Sequence, residues 1–487
     1  MSFSTGIRIT ELDDFITPAQ ECIKPVKLDN SDRKTSKIII GDDGSFTGIR
    51  ENGDKYSMEK VNITINDCLA CSGCVTTAET ILINEHSSEE FFKKIKLIKE
   101  NYDDTLVVVS ISPQSKASLS TKFNLGNAVE THKKLKTFFQ TLSVDVVLDT
   151  TFGREFSLLE TANETKEKIQ LNIKNSPVLS SCCPGWVCYA EKHKNNDLIV
   201  PLISRTKSPQ QIMGYLVKQF LPANNNRYQA TKIFHVSVMP CFDKKLEATR
   251  NEFAFTNSKS GEREKDVDLV LSTMEIEQIA TERQYDFRTE CNTEDNEIEN
   301  MFSLNDNNGN KFYTHEGSGS GGYLEFTLRY CAKKLYNIDL NRNLSEDSRV
   351  KYKTFRNSDF QEVSLISESE EHVEPLLTFS FAYGFRNLQT IVQRIQLKKC
   401  NYQFIEIMAC PKGCLNGGGQ IRTESKEEQK DLLEKVTNAY KSLDIQLPLV
   451  NKNAETVYNG IKDKNCLMTS YNIIPKLEFL NPSSLKW

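Results

Sequence analysis

The sequence predicts an α/β fold built on parallel strands, preceded by a small unit that carries cysteines. Three observations predict it. From about residue 105, short apolar runs rich in Val, Ile and Phe recur, each bounded by polar or turn residues, as strands covered on both faces require. Helical patterns separate these runs, and alternation of the two implies an α/β core. Cysteines gather in one early triplet and again at the ends of several apolar runs.

In chain order, residues 1–100 read as the N-terminal unit. Extended pieces such as SKIIIGDDGSFTGI lead to the triplet, and SSEEFFKKIKLIKE reads as a connecting helix. The α/β domain follows over 101–460. Its expected strands are 105–112, 144–150, 232–240, 267–272, 376–384 and 402–409, and its expected helices include 273–282, 321–336 and 387–399. Three charged or Asn-rich stretches, 251–266, 291–310 and 364–374, interrupt the pattern and are expected to be surface loops, partly disordered. Residues 461–487 form a C-terminal tail.

At 487 residues the chain is too long for one ordinary domain, and its 38% apolar content is enough for a sizeable core. A net charge of −5 favours neither nucleic acid nor an acidic membrane surface. No apolar run reaches the roughly 18 residues of a membrane span, and the N-terminus has neither an apolar targeting core nor the character of a mitochondrial presequence. A cytosolic or nuclear protein is expected. In that reducing setting the 14 cysteines point to metal ligation or catalysis rather than disulfides.

Cys68, Cys71 and Cys74 form C-x2-C-x2-C in NDCLACSGCV. Such a triplet wraps a loop around a compact cluster, each sulfur binding one iron. No fourth cysteine follows at ferredoxin spacing, and Cys22, in ECIKPV, is the only other one in the first 181 residues. Pro25 suits a ligand loop that needs no backbone donor there, and Gly73 lets amides approach the sulfurs. These features favour a 4Fe-4S cluster on Cys22, Cys68, Cys71 and Cys74. The rival is a structural zinc, although zinc usually takes two separated C-x2-C knuckles.

A second group lies downstream: Cys182 and Cys183 in SSCCPGW, Cys241 in MPCFDKKLE, and Cys410 and Cys414 in MACPKGCLNGGGQ. Cysteines at the C-terminal ends of parallel strands meet in the crevice where open α/β sheets hold ligands. Gly417, Gly418 and Gly419 leave room for a bulky inorganic group and free N–H donors for its sulfides. The scattered Cys188, Cys291, Cys331, Cys400 and Cys466 read as small buried residues.

These segments, with SPQQIMG at 208–214, resemble in order the signature motifs of the iron-only hydrogenase large subunit, over roughly residues 100–425. The resemblance implies a two-lobed hydrogenase-like domain behind a ferredoxin-like unit. It implies that Cys183, Cys241, Cys410 and Cys414 hold a second 4Fe-4S cluster, with Cys414 matching the cysteine that bridges to a two-iron subsite in the hydrogenases. Cys182 matches their proton-relay cysteine, and Lys244 and Glu247 match residues near their active site.

The pattern also departs from a working hydrogenase. Gln420 is followed by Ile421 and Arg422 where the hydrogenases continue with Pro, and bulky Tyr323 stands near the expected cofactor pocket. With one early cysteine and a C-x2-C-x2-C triplet, the chain resembles the eukaryotic hydrogenase-like (prelamin A recognition factor-like) family of cytosolic iron–sulfur assembly. That resemblance implies no hydrogenase activity and two 4Fe-4S clusters. It implies a bridge from an early scaffold complex to a late targeting complex with a WD-repeat propeller protein, serving apo iron–sulfur proteins of cytosol and nucleus. The final Leu485-Lys486-Trp487 offers an aromatic anchor for that targeting complex, or else Trp487 folds back on the body. The alternative remains a functional or degenerate hydrogenase.

Overall fold

The computed structural model describes three strands between residues 35 and 58 and, with short gaps, residues 85–473. The chain divides into two compact units, Met1–Thr80 and Ile81–Trp487. In the first, strands Thr35–Ile40, Phe46–Arg50 and Lys55–Met58 form an antiparallel sheet in chain order. Cys22, Cys68, Cys71 and Cys74 lie outside the described residues, as does the 474–487 end of the tail.

The second unit is built on two sheets. One is fully parallel, with strands in the order Leu269–Ser272, Ile233–Met239, Leu106–Ile111 and Val146–Asp149. Every residue of Ile233–Met239 is buried, the condition that a continuous apolar run anticipates. The other runs Val350–Thr354, Phe360–Leu365, Leu377–Tyr383, Phe404–Met408 and Val178–Ser180. Its first three strands pair antiparallel, and the last two join parallel to Leu377–Tyr383 and Phe404–Met408 in turn. Long helices cover the sheets. Thr151–Gln170 and Tyr323–Tyr336 pack on one another, burying Leu158 with Tyr323, Leu324 and Leu328.

All six expected strands and all three expected helices form. Thr273–Glu282 begins where the sequence places it, because Ser272 and Glu275 make a reciprocal capping box. The helix Ser88–Asn101, expected as a connector, buries Phe91 and Ile95 in the core around the parallel sheet, and it belongs to the second unit.

Parts of the three stretches expected as loops take regular structure instead. Residues 251–266 carry a small hairpin, Ala254–Thr256 against Arg263–Lys265, and end on buried Asp266, which pairs with Lys207 at 3.1 Å. The stretch 291–310 contains the helix Glu297–Met301, whose Glu299 is buried against Lys136 at 2.7 Å. Residues 364–365 close the strand Phe360–Leu365. In the first two a charged residue that suggests solvent is instead one half of a buried pair; residues 368–373 of the third lie outside the described residues.

Gly322 opens the helix Tyr323–Tyr336 with φ at +77°, and a Cβ there would stand 1.7 Å from the Glu316 carbonyl oxygen. Only glycine fits both demands. Gly322→Ala is expected to cost at least about 2 kcal/mol of stability, measured by chemical denaturation; an unchanged midpoint would refute the strain.

Candidate metal centre

The second cysteine group assembles from strand ends of both sheets. Cys183 follows Val178–Ser180, Cys410 follows the neighbouring Phe404–Met408, and Cys241 follows Ile233–Met239 of the parallel sheet. Cys414 lies in the short turn Gly413–Asn416. Cys183 is buried and the other three are half-buried.

Two glycines make the convergence possible. The Gly419 amide donates to the Pro240 carbonyl at 2.9 Å, and the Met274 amide donates to the Gly419 carbonyl at 3.0 Å. A Cβ on Gly417 would stand 2.2 Å from the Pro240 oxygen, and one on Gly419 would stand 3.1 Å from the Cys241 Cα. Backbone therefore lies directly on backbone, joining the loop that bears Cys410 and Cys414 to the one that bears Cys241. Arg422, read in the sequence as a departure, donates to the Gly417 carbonyl at 2.9 Å and to Asn416 Oδ1 at 2.8 Å, bracing the same loop.

Fixed amides point at the sulfurs. Ala409 and Trp186 donate to Cys183, and Gly418 donates to Cys410. Burial, followed by the charge of Asp243, pushes the Cys183 thiol up to about 12. Burial, then Cys183 and Asp243, does the same to Cys410, again to about 12. Cys241 is held well above its ordinary range by burial, then by Asp243, Cys183 and Cys410. Three thiols that sense one another in a poorly solvated place, with N–H donors aimed at them, suit thiolates bound to cationic metal. Among the described residues, no three His, Cys, Asp or Glu side chains gather as tightly as a single ion requires. At about 2.3 Å per zinc–sulfur bond, a zinc would need just that.

The other flank is formed by Cys182 and a Gly/Ser turn. The Cys182 thiol contacts the Ser320 carbonyl at 3.8 Å and Met408 Sδ at 3.9 Å. It is held well above its usual range, first by a hydrogen bond to Cys414 and then by burial. The Cys414 amide donates to Ser320 Oγ at 3.1 Å. Tyr323 is buried beside this flank, with its hydroxyl 2.8 Å from Ser157 Oγ, and Cys182 is among the charges it senses. Lys244 pairs with Glu247 at 2.7 Å and lies close enough to sense Cys182 and Cys241; Ser208 and Gln210 donate to Glu247.

Ser320, Asp243, Gln114 and Arg154 belong to this neighbourhood and were not singled out from the sequence. For Ser320 the available signal was the run GSGSGG at 317–322. Of the scattered cysteines, Cys331 and Cys400 are buried, in keeping with a structural role, while Cys188, within range of Asp243, and Cys466 are only half-buried, against expectation; Cys291 lies outside the described residues.

The family model for the C-terminal domain of the iron-only hydrogenase large subunit matches residues 105–418. The structure resembles an apo FeFe-hydrogenase of Chlamydomonas reinhardtii with a TM-score of 0.64 at 21% identity, covering 79% of this chain and 98% of that one. At that identity the likeness speaks to fold. A Xenopus tropicalis protein named cytosolic Fe-S cluster assembly factor narfl is 42% identical over 499 residues, which span 100% of this chain and 99% of the relative.

The chain belongs to the family of cytosolic Fe-S cluster assembly factors. A mouse member of this family, cytosolic iron-sulfur assembly component 3, is 43% identical over 92% of this chain and 90% of its own length. The assembly-factor family thus shares the hydrogenase fold, as the motifs imply.

The Ser320 turn rests on a buried carboxylate. Glu406 accepts from Tyr383 Oη at 2.7 Å, Ser318 Oγ at 3.1 Å and the Leu324 amide at 2.9 Å. Glu325 lies nearby with its Oε2 unpartnered, its carboxyl pushed up from 4.5 to about 8 by burial and then by Glu406. A carboxyl raised in the folded state binds its proton more tightly there than in the unfolded chain. Its contribution is therefore full below pH 4.5 and is lost as pH rises through about 8. Glu325→Gln is expected to flatten the fall in stability between those limits, read from denaturation midpoints across pH. Parallel curves for the two proteins would contradict it.

Proposed function

We propose that the chain is an assembly factor of the cytosolic iron–sulfur machinery that carries two 4Fe-4S clusters. One is held by Cys22, Cys68, Cys71 and Cys74, the other by Cys183, Cys241, Cys410 and Cys414. It links an early scaffold complex to a late targeting complex and helps pass clusters to cytosolic and nuclear apoproteins, and it does not evolve hydrogen. The observation that carries this reading is the 42% identity, end to end, to a protein named for that role.

The site supports it. Cys183, Cys241 and Cys410 follow three strand ends and sense one another, Cys414 hydrogen-bonds to the neighbouring Cys182, and amides are directed at two of the thiols. When bound, a 4Fe-4S cluster supplies one-electron chemistry or serves as cargo. Cys182, Cys183, Cys241, Cys410 and Cys414 occupy the positions that the hydrogenase motifs give them. Beside Cys182 and Cys414, however, the fold places Tyr323, Met408 and the Gln114–Arg154 pair. Bulky and charged side chains beside Cys414, which matches the bridge to a two-iron subsite, favour the reading without hydrogen evolution.

No membrane-spanning helix occurs among the described residues, and the relatives are named cytosolic. The three strands between 35 and 58 are consistent with a separate N-terminal unit for the first cluster.

Anaerobic reconstitution tests the proposal. Wild-type chain is expected to bind iron and sulfide in equal amounts and to show reduced-cluster resonances by electron paramagnetic resonance. Cys71→Ala and Cys414→Ala should each remove about half of the iron and lower stability, because cluster binding is also folding energy. Hydrogen from reduced viologen, with infrared bands of iron-bound carbon monoxide and cyanide, would establish the hydrogenase alternative instead. A colourless zinc protein would sink both.

A further inference from the structure

Among the described residues, buried cations are paired with carboxylates, with one exception. Lys244 has Glu247 at 2.7 Å, Lys207 has Asp266 at 3.1 Å, and Lys136 has Glu299 at 2.7 Å. Arg154, only 3% exposed on the helix Thr151–Gln170, donates to the hydroxyl of Tyr440 at 3.0 Å and to Gln114 Oε1 at 3.4 Å. Both acceptors are neutral. Of the carboxylates within its electrostatic reach, Asp149 is paired with Lys116 at 2.6 Å, and Glu406, held by the neutral donors Tyr383, Ser318 and the Leu324 amide, is pushed up toward its uncharged form by burial. A buried guanidinium without an anion is costly, so its compensating charge should be sought nearby.

The surrounding contacts say where. A Cβ on Gly321 would stand 3.2 Å from Arg154 Cδ and Nε. The adjoining Ser320 accepts from the Cys414 amide at 3.1 Å and lies 3.8 Å from Cys182 Sγ. Gln114, which receives the guanidinium, donates to the Gly319 carbonyl at 2.9 Å, and its own carbonyl accepts from Gln420 at 3.1 Å. One short turn therefore holds Arg154 on one side and the sulfur-bearing residues on the other.

We propose that Arg154 is the counter-charge of an iron–sulfur cluster on Cys183, Cys241, Cys410 and Cys414, and that it raises that cluster's reduction potential. The proposal rests on the cluster assignment made above. Four thiolates on an oxidised 4Fe-4S core leave a dianion, and reduction adds a further negative charge. A fixed cation in a weakly polar interior stabilises the more negative state more strongly. Arg154 acts through charge, as a positioning residue, with no bond to iron.

The test is a mediated redox titration of full-length chain, reconstituted in a Cys71→Ala background so that this cluster alone gives the reduced signal. Arg154→Gln is expected to move the midpoint negative. At the unsubstituted midpoint the reduced-to-oxidised ratio should fall about tenfold, equal to 59 mV for a one-electron couple. Arg154→Lys retains the charge and should keep the ratio within about threefold. Tyr440→Phe removes the hydrogen bond, retains the charge and should leave the midpoint in place.

A stable, iron-loaded Arg154→Gln with an unmoved midpoint overturns the counter-charge and leaves the cluster standing. Should Arg154→Gln fail to fold, the other two variants decide: a tenfold fall in either one overturns the proposal, and unmoved midpoints in both support it. Absence of iron from the Cys71→Ala background overturns the cluster assignment, and the counter-charge with it.

Discussion

The site depends on one contact between two pieces of bare backbone. Gly417 and Gly419 lie against Pro240 and Cys241 so closely that a single added carbon at Gly417 would meet a carbonyl oxygen at 2.2 Å. That contact couples the parallel sheet, which delivers Cys241, to the mixed sheet, which delivers Cys183 and Cys410. Without it the thiols would belong to separate lobes. The glycines thus serve approach more than flexibility, and Arg422 locks the approach by holding the Gly417 carbonyl.

The same closeness sets the chemistry. Thiols drawn into a poorly solvated junction resist ionisation, and the Asp243 carboxyl beside them, itself pushed up to about 6 by burial, deepens that resistance. Free thiolates are disfavoured there, while thiolates neutralised by metal are not. The amides of Ala409, Trp186 and Gly418 add dipoles that favour charge on sulfur, which is the usual means of tuning a bound cluster. Folding and metal binding at such a junction are one equilibrium rather than two.

Much of this architecture was legible in the sequence because parallel strands covered on both faces announce themselves as unbroken apolar runs. Ile233–Met239 and Phe404–Met408 are buried along their whole length. The strand Val350–Thr354 escaped for the opposite reason: beyond Val350 its VKYKT is exposed and reads as polar loop. Cysteine spacing made the candidate ligands visible, since residue types that bind iron are chemically restricted. The residues around them were not visible. Arg154 and Gln114 are unremarkable in their local patterns, and only the fold shows that a guanidinium from one helix meets a carboxamide from another beside the Ser320 turn.

That difference bears on how one fold serves two trades. The hydrogenase-like frame is fixed by glycines, strand ends and cysteines, and a sequence that keeps these keeps the frame. What happens beside Cys182 and Cys414 is decided by the size and charge of a few side chains that the frame merely tolerates. Here Tyr323 is seated by Ser157, and Arg154 by Tyr440 and Gln114, so both are held in single orientations by partners on other elements. Side chains anchored in this way are not easily displaced by an incoming group, because each would leave a buried polar partner unsatisfied. The packing beside Cys182 and Cys414 is thus set by side-chain anchors that lie apart from the cysteines themselves.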